Sequence, residues 1–108
     1  MGDVSKTPKL LQVKSIVAAA TLQPTDSGII FVGNTGTMTV TLPPAATSAG
    51  VEYKFVKTSA AASAITVDGN ASETINGSTT HATMDAQYDT ITIVCNGTAW
   101  YITESIIA

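Results

Sequence analysis

Hydrophobic and polar residues change places at every second position through much of this chain. In TMTVTL (37–42), Met38, Val40 and Leu42 fall on one side and three threonines on the other. VEYKFVK (51–57) continues the pattern, with Val51, Tyr53 and Phe55 inward and Glu52, Lys54 and Val56 outward. YDTITIVC (88–95) sets Ile91 and Ile93 against Thr90 and Thr92. A period of two is that of a half-buried β-strand. GIIFVG (28–33) is a continuous apolar run, the pattern of a strand covered on both faces. AITVD (64–68) and ETI (73–75) are shorter strand candidates, and the polar stretch from 76 to about 88 is predicted as loop.

Turn chemistry separates these runs. Asn34-Thr35-Gly36 predicts a hairpin loop after GIIFVG, and Pro43-Pro44 stops the next ladder because proline has no N–H to give it. Asp68-Gly69 and Asn76-Gly77 close two further strands. Asn96-Gly97 predicts a two-residue hairpin into AWYITES, since both residues tolerate positive φ. Ahead of all this, LLQVKSIVAAATL (10–22) fits a helix through Leu10, Val13 and Val17 and a strand face through Leu11, Val13 and Val17. The β-like remainder favours extended structure. Strands at roughly ten-residue spacing predict an all-β fold, a compact antiparallel β-sandwich or jelly-roll-like barrel with an extended N-terminal arm. The division expected is 1–22 as arm or first strand and 23–108 as the β-sandwich domain.

Composition narrows the function classes. The chain has 108 residues, one domain's worth, and only 12% are charged against roughly 25% in an average domain. Small residues fill the difference, so the core is modest and self-association is a plausible source of further stability. The net charge is −3, with five lysines and no arginine, a poor match to the clustered cations that nucleic-acid binding requires. No apolar run reaches the 18 or so residues of a membrane span, and no signal-peptide core opens the chain, so a protein made in the cytoplasm is expected. Neither a nucleic acid nor a membrane is expected as partner.

Catalysis needs grouped reactive side chains, and few are available. His81 stands four residues before Asp85; as a base it would need Ser78 or Cys95 as nucleophile, and no spacing supports that arrangement. Cys95 is the only cysteine, reads as a small buried strand residue, and leaves no intrachain disulfide possible. One His and one Cys do not make a zinc site, and Asp68-Gly69-Asn70 lacks the later acidic ligands of a Ca²⁺ loop. No catalytic residue, metal or cofactor is expected. Trp100 and Tyr101 alternate across the last strand. Trp100 with Ile102 supplies inward bulk opposite Ile91 and Ile93, which leaves Tyr101 at an edge or contact surface.

The ordered set of signals resembles a known group. TLQPTDSGIIFVGNTGTMTVTLPPAATSAGVEYKFVK, then ITVDGNASETINGS, then YDTITIVCNGTAWYI, is similar to the layout of small bacteriophage virion structural proteins, of the capsid decoration (cement) or tail-fibre-tip type. The resemblance covers roughly residues 20 to 103. It implies an all-β virion protein, commonly trimeric, without catalysis. A short chain with an apolar leading segment fits a decoration protein that binds the outer surface of the phage head, with the major capsid protein lattice and its own copies, as a homotrimer, for partners. The alternative is a tail-fibre or spike tip that binds a host receptor or glycan. The residues expected at interfaces are Leu10, Leu11, Val13, Ile16, Val17 and Tyr101.

Overall fold

The computed structural model describes residues 11–107. They form nine strands in two mixed sheets: β1 (Val13–Ile16), β2 (Ala20–Thr21), β3 (Gly28–Val32), β4 (Met38–Thr41), β5 (Glu52–Lys57), β6 (Ile65–Asp68), β7 (Thr80–Met84), β8 (Thr90–Cys95) and β9 (Trp100–Ile106). Two single turns of 3-10 helix, Pro24–Asp26 and Ala45–Thr47, interrupt them. The five-stranded sheet has the order β1-β3-β5-β8-β9, and the four-stranded sheet the order β2-β4-β6-β7.

The path of the chain differs from the antiparallel sandwich or barrel expected. From β1 to β6 the chain passes from one sheet to the other at every step. Each strand therefore pairs in parallel with the strand two before it: β1 with β3, β3 with β5, β2 with β4, β4 with β6. Only the last third returns antiparallel, β7 on β6, β8 on β5 and β9 on β8. The sheets are thus mixed, and neither closes on itself. Asn34-Thr35-Gly36 makes no hairpin; it carries the chain from β3 in one sheet to β4 in the other. Asn34 fixes this crossing by donating from Nδ2 to the carbonyls of Gly36 (2.9 Å) and Ser63 (3.0 Å).

One apolar cluster draws on both sheets. Ile30, Val32, Tyr53, Phe55, Ile91, Ile93 and Trp100 enter it from the five-stranded sheet, and Val40, Ile65, Val67 and Met84 from the other. Leu22 and Leu42, just beyond β2 and β4, extend the parallel ladder through Leu22 N–H to Thr41 O and Leu42 N–H to Asp68 O, both 2.8 Å, and are fully buried. Residues 13–16 and 20–21 of the expected arm segment are edge strands of the two sheets. Ile16 is a core residue, 8% exposed, rather than a surface one.

Three local expectations are corrected. The polar stretch after Gly77 contains a strand, β7, paired to β6 through His81 and Val67. Gly28–Val32 is buried on one face only, through Ile30 and Val32, while Ile29 and Phe31 are half-buried. The last hairpin turns one residue later than predicted: Asn96 N–H donates to Ala99 O (3.1 Å), which leaves Gly97 and Thr98 at its centre. Gly97 has φ +96 and Asn96 no positive φ. The Asn96 side chain instead braces the turn, its Oδ1 accepting from the N–H groups of Thr98 and Ala99, both 2.9 Å.

Candidate interaction surface

Alternation along each strand fixes what lies on the outside of the five-stranded sheet. Because Tyr53 and Phe55 are buried, Glu52, Lys54 and Val56 of β5 point the other way. The register carries this outward set across the sheet in three rows. The first row is Glu52, Val94 and Tyr101. Val13, Ile29, Lys54, Thr92 and Glu104 make the second, and Ser15, Phe31, Val56, Thr90 and Ile106 the third. Seven apolar side chains therefore share one outer face: Val13, Ile29, Phe31, Val56, Val94, Tyr101 and Ile106. Val13 and Ile106 are each 58% exposed and Tyr101 46%. Exposed apolar side chains grouped on one face and mixed with polar ones mark a surface suited to interaction.

The charged groups of this face sit in its middle row. Lys54 Nζ lies 3.6 Å from Glu104 Oε1, and the pair arches over β8. Thr92 beneath it is only 8% exposed and donates from Oγ1 to Glu104 Oε1 (3.2 Å). A β-bulge at Thr103 shifts the pairing by one residue and keeps Glu104 opposite Thr92. Glu104 is thereby held by two partners, although an ion pair exposed to this degree contributes at most about 1 kcal/mol.

The expected interface residues divide. Val13 and Tyr101, from opposite edges of the sheet, both lie on this face. Leu11, 59% exposed, lines a shallow depression at its lower end with Ile29, Glu52 and Lys54. Val17, 74% exposed, lies past the end of β1 beside a second depression with Asn34 and Met38. Ile16 belongs to the core, and Leu10 lies outside the described residues. Ile29 and Phe31 were not expected here, and Val56 was expected to point outward but not to form part of an interface. Their outward direction follows from the strand period once their neighbours are known to be buried.

The chemically active side chains are dispersed. Cys95 is buried on β8, its Sγ 3.5 Å from Ala45 O and accepting from Gly97 N–H at 3.3 Å. His81 lies on β7 in the other sheet, where partial burial pushes its pKa below the ordinary imidazole value. The Asp85 N–H donates to the carboxylate of Asp89 (3.0 Å), a fully buried residue that also accepts from Ala86 N–H (3.0 Å). Among the described residues no group of three or more His, Cys, Asp or Glu side chains is placed to hold a metal.

Lys57, like Asp89, is a buried charged residue that the sequence pattern did not single out. It follows Phe55 on the inward side of β5, level with Ile16 and Val32, and is fully buried. Its ammonium donates to Ser59 O (3.1 Å), Ser59 Oγ (2.8 Å) and Ala61 O. Ser59 Oγ in turn donates to Asn34 Oδ1 at 2.8 Å. The network ties the 58–64 connection to the crossing after β3, and its polar ends face one another rather than solvent.

No protein-family model matches the chain, and no curated protein matches it.

Proposed function

We propose that this chain is a virion structural protein: a capsid decoration (cement) protein that binds the outer surface of a phage head, on the major capsid protein lattice, and stabilises the shell, assembling there as a homotrimer. The observation that carries the reading is the outer face of the five-stranded sheet, where residues from both ends of the chain form one broad, half-apolar surface. Such a surface suits contact with protein better than capture of a small molecule, which calls for a deep concave site. The all-β body supports the reading, in which its two sheets are taken as the layers of a sandwich. Stabilisation would follow from mass action, because a ligand that binds only the assembled shell shifts the balance towards it. In this reading the protein is made in the host cytoplasm and resides on the virion surface. The test is to add the purified chain to expanded, undecorated heads and follow their melting. Saturable binding with a raised melting temperature is expected, and unaltered heads reject the role.

A tail-fibre or spike tip is the second reading, and the parallel ladders favour it. Among the described residues β1 and β2 are the edge strands at the start of both sheets, and a shaft of the same construction would stack onto them. Binding of the chain to host cells or surface glycans, without binding to heads, would select this reading.

A further inference from the structure

We infer that β1 is an exchangeable arm: residues 11–16 of one copy leave their own β3 and lay the same ladder on β3 of the next copy. This specifies the self-association proposed above and rests on that part of the reading.

The two edge strands of the five-stranded sheet are held very differently. β9 is locked at its start by buried Trp100, whose N–H donates to Thr74 O and whose carbonyl accepts from Asn76 N–H. β1 has no such anchor. Of residues 11–16 only Ile16 is buried, while Leu11 and Val13 remain 59% and 58% exposed. Main chain holds the segment. Its parallel ladder runs from Val13 beside Ile29 to Ile16 beside Val32, opened by Ile29 N–H to Gln12 O and closed by Gly33 N–H to Ile16 O, both 2.9 Å. The side-chain ties run to the turn at 24–26, from Gln12 Nε2 to Thr25 O and from Lys14 to Asp26 at 3.5 Å. A segment with so little buried side chain opens at lower cost than the core does.

A hinge lies directly behind it. Val17, Ala18 and Ala19 join β1 to β2, all three exposed, and among the described residues none of them makes a backbone hydrogen bond. Leu22, just past β2, stays seated, fully buried and bonded to Thr41 O. Extended, three residues span roughly 10 Å, enough to turn the arm from its own sheet to one beside it. The uncovered edge of β3 has definite demands. It accepts main chain in parallel at one register, takes Ile16 into the core beside Val32, and passes the Gln12 carbonyl over Gly28, where a Cβ would collide with it. The segment that meets these demands is residues 11–16 of this chain, and a second copy carries it. Every contact of the arm is regained on the neighbour. The exchange also brings the Val17 hinge, 74% exposed in the single chain, between two bodies, where apolar surface leaves water. Each copy gives an arm to one neighbour and takes one from another, a head-to-tail contact that rotation closes into a ring, a ring of three included.

Full chains carrying Ser15→Cys and full chains carrying Phe31→Cys are unfolded together in urea, refolded at high concentration and treated with a short thiol cross-linker. Positions 15 and 31 are register partners, so they link two chains when the arm of one lies on β3 of the other. A two-chain species on denaturing gels is expected, with the 15–31 link mapped by mass spectrometry. Val13→Cys with Ile29→Cys is a second such pair, should the first disturb folding. The linked fraction should rise about fivefold when the concentration during refolding is raised about tenfold, as mass action requires of a contact between copies. Wild type, whose single thiol Cys95 is buried, is the control. Multimers by sedimentation velocity that lack the link overturn the exchange and leave self-association standing. Chains that stay monomeric through refolding overturn both. Neither outcome bears on binding to heads, which the melting experiment reads separately.

Discussion

The rings of Tyr53 and Trp100 stack 5.6 Å apart at an interplanar angle of 22°, and both are fully buried. Tyr53 also anchors outward, its hydroxyl donating to Gln23 O at 2.5 Å. Trp100 is clamped from the far side: its N–H donates to Thr74 O (2.9 Å) and its carbonyl accepts from Asn76 N–H (3.0 Å). The stack therefore joins four segments distant in sequence: the turn before β3, the centre of β5, residues 74–76 and the start of β9. Trp100→Ala should cost about 3–5 kcal/mol in urea unfolding, the range for an emptied aromatic core site. Trp100→Phe should cost less, about 1–2 kcal/mol. Among the described residues the indole Nε1 has no hydrogen-bond partner, so no such bond is lost with it. As the only tryptophan, the native residue should also be poorly quenched by acrylamide until the chain unfolds.

Lys57→Met keeps the length of the stem and removes the ammonium, stranding the oxygens of Ser59 and Ala61 that it satisfies. A loss of about 2 kcal/mol is expected, the scale of buried acceptors left without a donor. Lys57→Arg should fare no better, because a planar fork does not reproduce the directions of three separate acceptors. Both costs are read as shifts in the denaturation midpoint at constant slope.

Lys57 also shows where the sequence was legible and where it was not. Alternation places 51, 53, 55 and 57 on one side of β5, so the inward direction of Lys57 was available. A charged residue at the end of an alternating run reads instead as the strand leaving the core. Alternation correctly gave the buried sides of β4 and β5 and the inward Ile91 and Ile93 of β8, and it put Trp100 inside with Tyr101 opposite. It could not name pairing partners. A strand buries the same residues whether its neighbour is a hairpin mate or a parallel strand one crossing away, so the climb between two sheets stayed hidden. The lengths of the crossings hid it further: the register advances 16 residues from Val13 to Ile29 but 25 from Ile29 to Lys54, and no repeat stands out. β7 was missed because THATM has one large apolar residue, Met84, which is its buried anchor. For the candidate surface, Val13 and Tyr101 were recognised singly. Only the register of five strands brings them onto one face with Ile29, Phe31 and Val56.

Gly28→Ala tests how firmly β1 is attached. Gly28 has φ +128, where side chains are rarely tolerated, and a Cβ there would collide with the carbonyl of Gln12. That carbonyl accepts from Ile29 N–H (2.9 Å) and opens the β1–β3 ladder. The substitution should destabilise by about 1–3 kcal/mol through backbone strain. Amide exchange should rise first at residues 13–16, where the ladder begins, while β8 keeps its protection.

Tyr53 gives the chain an alkaline limit. Burial raises its hydroxyl pKa far above the ordinary phenol value, with smaller contributions from the charges of Asp26 and Cys95. In the unfolded chain the same group titrates near 10. Below that pH both states hold the proton, and this group adds no pH dependence. Above it the unfolded state gives up its proton while the folded state keeps it. Unfolding then releases a proton, and stability falls as pH rises further. Tyr53→Phe cannot ionise and loses the bond to Gln23 O, so it should be less stable than wild type at pH 8. Between pH 10 and 11.5 the gap should narrow, because only the wild type carries this penalty. Urea midpoints of both proteins at pH 8 and pH 11 measure the difference directly. A gap of constant size across that range would mean that the Tyr53 proton does not report folding.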